Sequence, residues 1–188
     1  SYKPFPKPHL LVEKASLKLN KNEETNDLIK TSNLKIFISL RDIYLRSFND
    51  FISTQIVDSN INIRVSDLKK VRKHLYQNIH KPIIFNNCKV FIINKKKEVI
   101  LISPLKKISY KIDNKNKLKY FIINGEVFGL RFKSEWKRNY KEPNISFHNI
   151  NIFNPNIDIN NIFKFENIKK FKGKSEISYG KDKLKYEI

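Results

Sequence analysis

Histidine and carboxylate side chains are the residues of this 188-residue chain whose types suit proton transfer or metal binding. His74 and His80 lie six residues apart, so on a helix they would project from different faces and could not share a metal ion. Most carboxylates fall in polar, loop-like segments, and Glu126 and Glu135 stand alone in strand-like ones. We therefore predict no catalytic pair and no metal site, and we expect the four histidines to be surface or helix-cap residues.

Glycine and cysteine, the residues of many nucleotide and nucleophile motifs, are scarce. The four glycines stand at 125, 129, 173 and 180, which leaves no phosphate-binding glycine loop and no GxSxG element. Cys88 is the single cysteine, so an internal disulfide and a cysteine-based zinc site are excluded. It lies in the strand-like run IIFNNCKVFII, where we expect a buried, unreactive thiol. The sequence predicts a protein that is not an enzyme and needs no cofactor.

The chain is strongly basic, with a formal net charge of +20 and a pI near 9.9. Such a charge favours an anionic partner, either nucleic acid or lipid headgroups. The excess is nearly all lysine spread along the chain, which favours compositional drift over a dedicated nucleic-acid surface, since readers of nucleic acid prefer arginine. Trp136, the only tryptophan, is flanked by lysines. It suits a membrane-interface anchor, but a half-buried strand aromatic is the simpler interpretation.

Alternating apolar residues predict strands over most of the chain. These strands cover 9–19, 34–40 and 54–65 and follow one another from 83 to the end, whereas 20–33 reads as a polar loop. Gly125 and Gly129 predict a bulge or tight bend. Ser66 as N-cap and an apolar stripe from Leu68 to Ile79 predict one amphipathic helix near 66–80. The predicted fold is mainly β: a large, curved, twisted antiparallel sheet, open and groove-like, with that helix capping it.

The chain contains no methionine, so we expect it to be one β-rich segment, 1–188, of a longer protein. No apolar run approaches the roughly 20 residues that a membrane helix needs. A membrane anchor is expected upstream of residue 1.

The amino-terminal third resembles the AsmA-like family. FPKPHLLVEKASLKL (5–19) matches the family's proline-containing entry into a first strand, and LKIFISLRDI (34–43) matches a strand ending in S-L-R-D-L. INIRVSDLKKV (61–71) and KPIIFNNCKVFI (81–92) match the elements that follow. The resemblance implies a protein anchored in the inner membrane of a Gram-negative bacterium. Its body would lie in the periplasm, as in the related bridge-like lipid-transfer proteins.

The resemblance also implies a function: binding or guiding phospholipid along an apolar β-groove during outer-membrane and envelope biogenesis. The strong positive charge is not a requirement of the family. We predict phospholipid, rather than nucleic acid, as the partner, with the inner membrane contacted through the anchor. The expected core or groove positions are Ile36, Ile38, Ile61, Ile63, Ile92, Leu101, Ile122, Phe128, Leu130 and Phe132.

Two alternatives from other classes stay open. A basic β-rich nucleic-acid-binding module would cluster its cations and exposed aromatics on one face. A structural envelope scaffold without cargo would close its sheet over its own core.

Overall fold

A computed structural model describes residues 8–18, 27–45, 51–68, 70, 81–166 and 170–187. This part of the chain is mainly β, as the alternation predicts. The first five strands are β1 (His9–Lys18), β2 (Asp27–Phe37), β3 (Ser53–Arg64), β4 (Ile83–Ile93) and β5 (Val99–Asp113). The next six are β6 (Leu118–Val127), β7 (Leu130–Asn139), β8 (Ile145–Phe153), β9 (Asn156–Phe165), β10 (Phe171–Tyr179) and β11 (Asp182–Glu187).

Within the described residues the eleven strands form one mixed sheet whose spatial order equals their order in the sequence. The prediction of a purely antiparallel sheet is wrong at one pair, because β3 and β4 run parallel. A parallel pair needs a long crossover connection, and residues 65–82 provide it. The predicted helix near 66–80 falls in this connection. There Val65–Asp67 form a 3-10 turn and Leu68 and Lys70 are helical, whereas 69 and 71–80 lie outside the described residues.

Several element bounds differ from the sequence-based prediction. β2 begins at Asp27, inside the segment predicted as a loop, because Leu28 and Ile29 continue the sheet beyond the polar residues 31–33. Residues 99–113 form one long strand, β5. A short helix α1 (Leu40–Tyr44) follows β2.

The chain divides into two compact units, Ser1–Ile102 and Ser103–Ile188, with the boundary inside β5.

In the first unit, one row of residues crosses β1 to β4, and three of its four members have positive φ angles. Lys14, Asp58 and Asn87 have positive φ angles of 54°, 53° and 52°, and Ser32 of β2 lies between the first two. One such residue moves all later side chains to the other face. After Asp58 the apolar residues of β3 are Ile61 and Ile63, both at odd positions, whereas before it the apolar residues Ile56 and Val57 are adjacent. The adjacent row holds small, buried residues: Thr31, Ser59 and Cys88.

The second unit is a series of antiparallel strands joined by short turns. Phe128 and Gly129 form a two-residue hairpin in which both φ angles are positive, 50° and 76°, as a type I′ turn requires. Gly125 lies opposite Leu105, where the register of β5 shifts by one residue. A Cβ at Gly125 would meet Leu105 Cδ2 at 2.2 Å. The predicted bend at Gly129 and the predicted bulge near Gly125 are therefore both confirmed.

Candidate functional site

The register of the second unit assigns its side chains to two faces. Residues directly opposite in an antiparallel pair share a face, and successive residues alternate. From these rules, one face collects most of the apolar side chains of β5 to β11, and we call it the apolar face. The other face carries lysines and carboxylates from the same strands, and we call it the charged face.

A single row of seven residues, six of them apolar, runs across the apolar face from β5 to β11, and we call it the central row. Each member lies directly opposite the next in the sheet register. Ile108 is buried, the following members are buried or half-buried, and Leu184 on the last strand is exposed. The members of the central row are Ile108, Ile123, Ser134, Ile150, Ile159, Ile177 and Leu184.

Ion pairs stabilise the charged face. Lys133 and Lys137 both contact Glu135, at 3.8 and 3.1 Å. Lys183 and Lys185 both contact Glu176 at 3.3 Å, and their hydrogen bonds lower the pKa of that carboxyl group. The lysine side chains of these pairs are exposed, whereas the two carboxylates are only partly exposed. The charged face therefore has the composition of a sheet surface in contact with water.

Five polar residues interrupt the apolar face within and beside the central row, and we call them the polar island: Ser134, Ser146, His148, Asn161 and Ser175. His148, Asn161 and Ser175 lie opposite one another on β8, β9 and β10. The His148 ring is 2.9 Å from the Ser134 hydroxyl through its Nε2 atom. Ser146 and Ser175 are each 2% exposed, and their hydroxyls have no hydrogen-bond partner among the described residues.

His148 is half-buried rather than a surface or helix-cap residue, so the sequence-based expectation is wrong for this histidine. Its ring stacks on the Trp136 indole with centroids 4.2 Å apart and planes inclined by 20°. Burial lowers the pKa of His148 from 6.5 to about 4, because the charged imidazolium is poorly solvated there. The polar island is therefore uncharged at neutral pH.

The Ser134 hydroxyl and the His148 ring are as close as a serine nucleophile and its general base, but the low pKa of His148 is unfavourable for hydrolysis. A general base works best when its pKa lies near the working pH. With a pKa of about 4, His148 is a weak base for a serine hydroxyl at pH 7. The pair is better suited to hydrogen bonding with a bound molecule than to catalysis.

Aromatic rings continue from Trp136 toward β10. Trp136 stacks on Phe163 at 5.9 Å, and Phe163 meets the Phe171 ring edge-on at 5.7 Å. Phe163 also lies over Gly173, where an added Cβ would come within 3.0 Å of its ring. Trp136 is thus a half-buried strand aromatic, as the simpler interpretation has it, and it borders the polar island.

The predicted core or groove residues of the first unit are buried or half-buried. Ile61 and Ile63 lie beside Val90 and Ile92 on the parallel strands, so the sheet brings three of the predicted residues together. Ile38 follows β2, and its N–H donates to the Pro8 carbonyl at 3.1 Å. The buried members are Ile38 and Ile61, and the half-buried ones are Ile36, Ile63, Ile92 and Leu101.

The predicted residues of the second unit separate onto different surfaces. Leu130 and Phe132 lie on the apolar face, whereas the half-buried Ile122 lies on the charged face opposite Glu135. Phe128 is not a core residue, because it occupies the β6–β7 turn and is 83% exposed. The sequence-based set therefore does not form one surface.

The polar island escaped the sequence analysis. The sequence does contain an indication of it, because several of its serines occupy positions where the alternation calls for an apolar residue, such as Ser134 between Phe132 and Trp136. Glu126, weighed as a lone acid, is half-buried on the charged face opposite Arg131. Cys88 is buried as predicted, and burial raises its pKa to about 11.

The described residues include no helix with the length and apolar character needed to cross a membrane. They also include no group of three or more histidine, cysteine, aspartate or glutamate side chains able to hold a metal ion. No protein-family model matches the chain, and neither does any curated protein sequence.

Proposed function

We propose that this chain binds phospholipid on the apolar face of its second unit, with acyl chains lying along the central row. The central row, to which six of seven strands contribute an apolar side chain and β7 contributes Ser134, is the observation that carries the proposal. An apolar sheet face needs an apolar partner that covers it. In the described residues, the aromatic rings of this face contact other rings of the same face.

The dimensions of the central row suit acyl chains. Neighbouring strands lie about 4.8 Å apart, so the six spacings from β5 to β11 span roughly 29 Å along the sheet. The hydrocarbon core of a bilayer, which is two acyl chains end to end, is about 30 Å thick, so one acyl chain of about 15 Å fits within the central row. Each buried CH₂ group contributes about 0.8 kcal/mol, so an acyl chain needs no polar motif to bind here.

The charge of the chain supports an anionic phospholipid as the ligand. The net charge of +20 attracts anionic headgroups over long range, and the ion-paired charged face stays in water while the apolar face holds the chains. Membership of the AsmA-like family, a location on the periplasmic side of the inner membrane and a role in envelope biogenesis stay predictions.

Native mass spectrometry of the chain purified from bacterial cells tests the proposal. We expect phospholipid to co-purify in a defined stoichiometry and to be retained at salt concentrations that screen surface charge. A single-stranded oligonucleotide titrated at low and high salt tests the nucleic-acid alternative, whose binding would fall steeply as salt rises.

Two isoleucines of β9 offer a matched pair of variants. Ile159 lies in the central row, between Ile150 and Ile177, whereas Ile162 lies on the charged face and is 47% exposed. We expect Ile159→Thr to lower lipid occupancy severalfold and Ile162→Thr to leave it unchanged, with circular dichroism confirming that both variants fold. Equal lipid occupancy in both variants, or a wild-type chain free of lipid, would overturn the proposal.

A further inference from the structure

Along β6, β7 and β8 the apolar face changes from cationic to apolar in three successive rows. The first row contains Lys119, Arg138 and Ser146, and the second contains Phe121, Trp136 and His148. The third is the central row at Ile123, Ser134 and Ile150. Rows on one face are about 6.8 Å apart, because two residues of rise separate them.

We propose that this gradient binds the head region of one phospholipid, with the ester carbonyls of the lipid accepting hydrogen bonds from the polar island. The inference rests on the proposed lipid binding and adds that the site prefers ester-linked to ether-linked acyl chains. The phosphate lies at the row of Lys119 and Arg138, the esters lie at the polar island, and the acyl chains enter the central row.

The two unpartnered hydroxyls are the strongest support for an ester ligand. Ser146 and Ser175 are 2% exposed, so a lipid ester reaches their hydroxyls only after neighbouring side chains of the apolar face move aside, and a buried hydroxyl without a partner then gains an acceptor. A neutral carbonyl oxygen supplies an acceptor at each hydroxyl without bringing charge into the apolar face. An ether oxygen of the same lipid skeleton is a much weaker acceptor.

The surroundings of the island exclude an ionised group as its ligand. His148 is neutral at pH 7, and Ile150, Ile159 and Phe163 surround the island with apolar surface. An isolated charge at His148, Asn161 or Ser175 would lose its hydration without an ionic partner in its own row. The charged part of the lipid is instead expected one row away from these three residues, at Lys119 and Arg138, which share the row of Ser146.

Equilibrium binding of two lipids to the 188-residue chain tests the inference. The probes are a short-chain phosphatidylglycerol with ester-linked chains and its ether-linked analogue of equal chain length, both below the critical micelle concentration. Trp136, which borders the island, reports binding through its fluorescence. We expect the ester lipid to bind about five- to tenfold more tightly, as one or two added hydrogen bonds would give.

Two variants distinguish the island from the rest of the face. Ser146→Ala with Ser175→Ala removes both unpartnered hydroxyls without leaving a partner unsatisfied, so the fold is expected to persist. This double variant should bind the ester and ether lipids equally, with the affinity for the ether lipid unchanged. Ser178→Ala, on the charged face of β10, is the control and should keep the wild-type preference.

The outcomes separate the two proposals. Equal wild-type affinities for the ester and ether lipids, or a preference that survives in the double variant, would overturn the ester inference while lipid binding itself stands. Binding of neither lipid would overturn both proposals.

Discussion

Protonation of His148 should destabilise the folded chain at mildly acidic pH. Burial lowers the folded-state pKa from 6.5 to about 4, so between these values the unfolded state binds more protons than the folded state. Stability therefore rises with pH through this window and is lost as the pH falls from about 6.5 to 4. The full difference, 6.5 minus 4, corresponds to at most about 3.4 kcal/mol. Because the ring is only half-buried, we expect about 1.5 kcal/mol.

The single tryptophan makes the protonation state of His148 directly measurable. Trp136 stacks on the imidazole at 4.2 Å, and an imidazolium in contact with an indole quenches its fluorescence. A pH titration of the native chain should therefore show a fluorescence step with a midpoint below 6.5, at the pH that matches the measured loss of stability. Urea unfolding at pH 7 and pH 4.5 then gives the change in the free energy of unfolding.

His148→Phe is the control for both measurements, because phenylalanine preserves a stacked ring but does not titrate. The variant should lack the fluorescence step. Between pH 7 and 4.5 it should also lose about 1.5 kcal/mol less stability than the wild-type chain, which isolates His148 from the carboxyl groups. A fluorescence midpoint near 6.5, or the same pH dependence in both chains, would show that His148 is solvated and would refute the reasoning.

Three further predictions concern the backbone and the cysteine. Gly125→Ala should lower the free energy of unfolding in urea by about 1–3 kcal/mol, because its Cβ would meet Leu105 Cδ2 at 2.2 Å and the Pro104 carbonyl at 2.9 Å; an unchanged urea midpoint would contradict this. Phe128→Asn should increase the free energy of unfolding by about 1 kcal/mol and so raise the melting temperature, since asparagine tolerates the positive φ of a type I′ turn better than phenylalanine. A lower melting temperature would mean that the exposed ring makes stabilising contacts. Cys88 should react with a thiol reagent at pH 8 only after unfolding, because it is buried and its pKa is about 11, and fast labelling of the native chain would exclude that burial.

Strand content was predictable because alternation is a local property of the sequence. Strands β1 and β3 lie close to their predicted bounds, β4 begins at the predicted residue 83, and the hairpin at Gly129 is where a glycine was expected to bend the chain. The burial of Cys88 was predictable for the same reason, since its neighbours Phe85, Val90 and Phe91 belong to one apolar strand. Each of these predictions needs only residues within a few positions of one another.

The grouping of residues into surfaces was not predictable in the same way. Ile122 and Phe132 both fit an apolar pattern in their own strands, yet the register places them on opposite faces. The row at Lys14, Asp58 and Asn87 shifts the alternation in three strands, and its effect is visible only when the strands are aligned. Side-chain direction on a sheet depends on register, which is set between strands rather than within one.

By itself, then, the sequence determined that the chain is basic, rich in strands and poor in residues for metal or nucleophilic chemistry. Only the tertiary structure decided that β3 and β4 are parallel and that seven strands share the central row. It also decided that Ser134, His148, Asn161 and Ser175 meet, although up to 41 residues separate them. The physical reason is that alternation and turn preference act locally, whereas the polar island and the pKa of His148 arise from strands brought together by long-range pairing.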